Sequence, residues 1–254
     1  MRAIFSASPA TDVTDMVGNL LLRGMLAGLI AAALAFVSSW VWGEPEIDAA
    51  IAIEEMLAEP DGAHEHELVS RATQSTTGLA TGLLIYGAAI GGLFALVFAL
   101  VWGRVARLGA RGTAALLALG AYLAVVVVPQ LKYPANPPAV GQEDTIGART
   151  WLFFIVLAAS IAALVIGVAV ARRLWEKSGP WRAAAIGALA WLVLVTLMML
   201  ILPTIQEVPE SFPGDVLWRF RLSTFGVHAI LWAVIGLVFG ALAERAMPRL
   251  APRG

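Results

Sequence analysis

His64 and His66 alternate with Glu65 and Glu67 in a run flanked by glycine and alanine. Such flanks favour an extended chain, in which side chains two apart face the same way, so the two imidazoles can close on one ion. A carboxylate from the preceding segment would complete the shell. Set on a helix, Glu46 to Glu59 gathers Asp48, Glu55 and Glu59 in one stripe and Ala49, Ile53, Met56 and Leu57 on the other side. This nitrogen and oxygen set suits Co²⁺, Ni²⁺, Zn²⁺ or Cu²⁺ and does not choose among them. The same residues would also suit a solvated polar loop above a helix lying on the membrane surface. Leu68 stands where a zinc protease needs its second histidine, so the string implies no protease. The third histidine, His228, falls inside an apolar run. An ionisable group there is a functional candidate, with a neutral imidazole bonded to a neighbouring helix as the structural alternative. The metal candidates are therefore His64, Glu65, His66, Glu67, Asp48, Glu55, Glu59 and His228.

The elements that carry these residues are six apolar runs: Leu20 to Trp42, Gly78 to Trp102, Thr113 to Val128, Trp151 to Val170, Ala183 to Leu202 and Leu222 to Leu242. Most are about twenty residues long, which matches the roughly 30 Å hydrocarbon core of a bilayer. A composition 59% hydrophobic and 14% charged leaves too little polar surface for a soluble domain. The expected fold is an all-α polytopic membrane bundle of about six transmembrane helices, with an extracytoplasmic amphipathic segment after span 1. Residues 1–19 form an N-terminal segment, 20–242 the membrane domain with an acidic loop at 43–77, and 243–254 a C-terminal tail. The first run is too long for a signal-peptide core, so it is expected to be retained.

Charge sets the orientation. Twelve of the 17 basic residues lie before or in the first turn of span 1, in alternate loops and after span 6, while 14 of the 18 acidic residues lie in the other loops. The positive-inside rule then puts both termini in the cytoplasm. The acidic side would concentrate divalent cations.

Each hairpin is expected to leave the bilayer through a proline: Pro45, Pro129 and Pro203. The stretches after Pro129 and Pro203 share further prolines, an acid (Asp144, Asp215) and arginines at the next helix start (Arg149; Arg219, Arg221), as in a parallel repeat. The loop PQLKYPANPPAVG is either a re-entrant plug or a rigid connector. Glycines four apart at Gly24/Gly28, Gly78/Gly82, Gly87/Gly91 and Gly236/Gly240 predict faces of close helix contact. No cysteine is present, which removes disulfides and thiolate ligands. No span contains Asp or Glu, and no phosphate-binding loop, GxSxG or intramembrane aspartate pair occurs, so no enzyme is expected.

Four strings, GEPEIDAAIAIEE, HEHELVSRATQ, YGAAIGGLFALVFALVWGR and PQLKYPANPPAVG, give the chain its likeness. It resembles the CbtA family of probable cobalt transporter subunits over nearly its whole length. The resemblance implies a multi-pass subunit that brings cobalt into the cell with a small single-span CbtB-type partner. No cofactor beyond the transported ion and no nucleic acid is implied. A non-transporting scaffold that assembles a partner complex is the reading from another class; it needs the glycine faces and not the histidines.

Overall fold

The computed structural model describes residues 9–57, 69–105 and 108–246, and every element in it is helical. Chain order gives α1 (Pro9–Ser38), α2 (Glu44–Leu57), the short α3 (Arg71–Thr73), α4 (Leu79–Val101), α5 (Ala110–Ala121), α6 (Val128–Lys132), α7 (Glu143–Ile201) and α8 (Gly214–Ala246). Single π-helical turns at Ser39–Gly43, Gln74–Gly78 and Tyr122–Val127 join α1 to α2, α3 to α4 and α5 to α6. Five helices are long and apolar enough to cross a membrane. One of them, α7, is 59 residues long, about three times what a bilayer core needs. It is two helices: Gly179 sits at φ 75° and ψ 161°, a conformation open in practice only to glycine, and Pro180 starts the second half. The five helices thus supply six crossing segments, as expected.

The prolines do not all end a helix. At Pro203 the helix does stop, with Leu202 turned extended (φ −75°, ψ 141°) as the residue before a proline prefers. At Pro45 and Pro129 it continues, with Glu44 and Val128 still helical. In both places a π turn ends two residues before the proline, and Glu44 N–H bonds Ser39 O while Val128 N–H bonds Leu123 O. The wider turn shifts the hydrogen-bond register, so the missing proline N–H and the ring clash are absorbed as a bulge rather than a break.

The chain divides into two compact units. The first takes the residues to Ala35, Leu79–Ala118 and those from Ile230. Here α1 and α4 meet backbone to backbone. A Cβ built on Gly28 would lie 1.9 Å from Gly87 O, and one on Gly24 would lie 2.2 Å from Gly91 O. Gly236 and Gly240 of α8 approach Ala118, Ala114 and Arg111 of α5 in the same way. Phe98 and Phe239, both fully buried, meet edge to face at 4.9 Å, and Phe94 adds a second such contact to Phe239 at 5.4 Å. Three of the four glycine pairs are therefore packing faces. The fourth is not, because nothing lies within 4 Å of a Cβ at Gly82. Gly28→Ala is expected to lower the unfolding free energy by about 1–3 kcal/mol, since backbone rather than a movable side chain blocks the methyl group. Gly82→Ala should change it by under about 0.5 kcal/mol. Equal thermal midpoints for the two purified variants would remove the α1–α4 seam as a source of stability.

The second unit takes Phe36–Gly78 and Leu119–Ala229. The two halves of α7 fold back on each other at Gly167 and Gly187, around Val156, Ala163 and Val195. This contact escaped the four-apart pattern because each half supplies only one glycine. Trp40, Trp42, Trp151 and Trp218 are exposed near one set of helix ends, and Trp175 and Trp181 near the turn of α7. Trp151 and Trp175 are about 36 Å apart along the helix at 1.5 Å per residue, a spacing suited to ring anchors at the two membrane interfaces.

The amphipathic segment is helical as expected, and its apolar side has a different cover. Ala50 is fully buried with Val140, Phe212, Val216 and Leu217, and Ala49 and Ile53 pack against that group. α2 runs on from α1 through the π turn, and the cover of its apolar side comes from the loops that hold Val140 and Phe212 and from the first turn of α8. Met56, at its far end, remains 75% exposed.

Candidate functional site

The second unit concentrates its polar chemistry between two proline-rich loops, residues 133–142 and 202–213. Lys132 ends α6 and donates to Met199 O (2.9 Å) and Leu202 O (2.7 Å), filling carbonyls that the end of α7 leaves open. Tyr133 is buried and donates to Pro203 O at 2.7 Å. Burial pushes its hydroxyl above the usual phenol range, which keeps the donor proton in place. These bonds tie one loop to the other.

At the centre lies Glu207, whose side chain is 4% exposed. Arg149, from the first turns of α7, sits 3.0 Å from it, Asn136 Nδ2 donates at 3.1 Å, and Thr145 Oγ1 donates to its second oxygen. Arg149 also donates to Pro134 O. From α8, Arg221 Nη2 donates to Asn136 Oδ1 at 3.0 Å and Nε to Ala135 O at 3.3 Å. Each loop is therefore gripped by an arginine rising from a helix start. Together they border an open cavity of about 240 Å³ lined by Tyr133, Asn136, Arg149, Glu207 and Arg221, among others.

The acidic residues of α2 are similarly engaged. Arg71 pairs with buried Glu44, and its Nε donates to Asp48 Oδ1 at 2.9 Å. Arg219 bridges Glu46 (3.5 Å) and Asp215 (2.9 Å). Asp48 is thus held by a guanidinium, while Glu55 is exposed on α2. Glu59, His64, Glu65, His66 and Glu67 lie outside the described residues. Among the described residues no three His, Asp or Glu side chains converge on a point that could hold an ion.

His228 is half-buried on α8, seven residues beyond Arg221. Residues 221, 225 and 228 recur at helical spacing, so Arg221 and His228 share a face about 10 Å apart. Between them Tyr122, at the π turn after α5, donates to Phe225 O at 3.2 Å. His228 Nδ1 is 2.8 Å from Thr224 O. A carbonyl oxygen only accepts, so in the neutral ring Nδ1 carries the hydrogen and Nε2 keeps its lone pair. That tautomer leaves Nε2 able to bind a metal ion, with the other ring nitrogen fixed by its own hydrogen bond.

Residues 17–244 match the family described as CbtA, probable cobalt transporter subunit. The chain belongs to the CbtA family. No curated protein and no solved structure matches it. A CbtA chain is a transporter subunit by description, so a metal ion and a further subunit come with the family. Its helices make it a multi-pass membrane protein. Among the metal candidates named from sequence, His228 shares its unit and its helix face with Arg221 of the loop cavity. Glu207, Arg221, Asn136 and Thr145 had no chemical role assigned from sequence; the arginines at the two helix starts were the signal that could have found them.

Proposed function

We propose that this chain is the membrane subunit that carries cobalt, or a divalent ion of like ligand preference, inward across a bacterial inner membrane with a small single-span CbtB-type partner. The acidic segment with His64 and His66 makes first capture, aided by the carboxylates of Glu55, Glu59, Glu65 and Glu67. His228 then supplies a nitrogen within the apolar region. The observation that carries the reading is the Nδ1 contact to Thr224 O, which leaves Nε2 with its lone pair on a helix that crosses the apolar region. Because Arg71 holds Asp48, that carboxylate contributes field rather than a ligand. Cobalt uptake by proteoliposomes containing the purified chain, alone and with its partner, tests the proposal; no uptake in either preparation would leave a scaffold.

Capture and orientation have their own tests. Changing both His64 and His66 to alanine should weaken Co²⁺ binding in calorimetric titration. The affinity of the parent should fall as pH drops through the imidazole range near about 6.5, since imidazolium offers no lone pair. Equal affinities in parent and double variant would make the segment plain solvent-facing chain. With both termini cytoplasmic, Glu210→Cys should react with an impermeant maleimide from outside intact cells, and Lys177→Cys only after permeabilisation. The parent is silent because it has no cysteine. The reverse labelling would invert the topology.

A further inference from the structure

The loop cavity has a charge that cobalt capture does not use. Glu207 and Arg149 neutralise each other, and Asn136 and Thr145 donate to the same carboxylate. Arg221 is left over. Its two hydrogen bonds go to neutral oxygens, Asn136 Oδ1 and Ala135 O, and among the described residues no carboxylate lies within 4.0 Å of it. A guanidinium carries five N–H donors, so three remain. Half-buried on a cavity wall, they form a preorganised fork that matches a carboxylate and repels a bare divalent cation.

We propose that this cavity binds a small organic carboxylate, with Arg221 as its principal anchor. Its roughly 240 Å³ leaves room for an acid of several carbons. The walls are not those of an inorganic-anion site, since Tyr133, Ile205 and Val208 offer ring and aliphatic surface beside the polar groups. Gln206 adds an amide that can serve a second oxygen of the same molecule. Two sources share this chemistry: the free acid, or the same acid wrapped around a metal ion. The inference goes beyond the transport reading and stands apart from it, since binding of the metal-free acid needs no transport.

Citrate is the probe. Titration calorimetry on the full chain in nanodiscs, with a metal chelator present, should show binding of citrate that Arg221→Gln weakens roughly tenfold to a hundredfold, as loss of a charge-assisted hydrogen-bonded pair predicts. Val208→Trp, which fills the cavity from a position 41% exposed and leaves Arg221 intact, should weaken it as well. Thermal midpoints of both variants within a few degrees of the parent show that the fold is kept. Without the chelator, cobalt–citrate binding more than tenfold tighter than citrate assigns the complex as the source; comparable affinity assigns the free acid. The proposal is overturned if neither binds the parent at millimolar concentration, if folded Arg221→Gln and Val208→Trp both bind citrate as the parent does, or if inorganic phosphate binds as tightly as citrate.

Discussion

Arg149→Met should be the most destabilising single change at the loop cavity, lowering the unfolding free energy of the purified chain by about 3–5 kcal/mol, because it strands the carboxylate of Glu207 without a counter-charge. Glu207 has only 4% of its side chain exposed, so water cannot replace the guanidinium. Asn136 and Thr145 would still donate to it, yet neither carries charge. Methionine fills much of the arginine stem volume, so the loss reads the charge rather than a cavity. Adding Glu207→Gln should recover a large part of the loss, since a neutral amide no longer demands a cation, and the double-mutant cycle isolates the pair. A loss below about 1 kcal/mol for Arg149→Met alone would mean that solvent reaches Glu207 and that the loops are not held from their centre. By contrast Arg219, exposed and paired with the still more exposed Asp215, belongs to the class of surface pairs that contribute little.

What could be read from the chain, and what could not, divides along the range of the interaction. The spans follow from local composition, because a helix satisfies its own backbone in lipid and needs only length and apolarity. Gly24, Gly28, Gly87 and Gly91 were legible for a similar reason: four-residue spacing places both glycines on one face whatever packs there. Gly78 and Gly82 carry the same spacing and no such contact, since spacing makes a face available and only tertiary placement fills it. The helix runs on through Pro45 and Pro129, which the sequence does not foretell. A proline ends a helix only if the preceding turn keeps its α register, and the π turns that release it leave no mark in the sequence. The side of α2 formed by Ala49 and Ile53 was correct, while its cover, Val140 and Phe212, lies about ninety and more residues away in the chain. Glu207 could not be told from any loop acid, because its burial is made by Arg149, Asn136 and Thr145 from another loop and the following helix.

His228→Gln should abolish cobalt uptake while leaving expression, thermal midpoint and partner association near those of the parent. Glutamine has comparable length and can still donate to Thr224 O, so the local hydrogen bond of α8 can be kept. What it cannot keep is an aromatic nitrogen lone pair aimed away from its own helix, and a borderline ion such as Co²⁺ prefers imidazole to an amide oxygen. The site is half-buried rather than sealed, which lets the substitution fold and makes lost transport interpretable. Thr224→Val supplies the complementary test. The Nδ1 contact uses the backbone oxygen of Thr224, not its hydroxyl, which donates to Phe220 O at 3.0 Å. Transport should therefore survive Thr224→Val. If His228→Gln takes up cobalt at the parent rate, the imidazole is a packing group, and the ion must pass by backbone carbonyls elsewhere in the bundle. If Thr224→Val and His228→Gln fail alike, the defect lies in the helix as a whole and the ligand role of His228 falls with it.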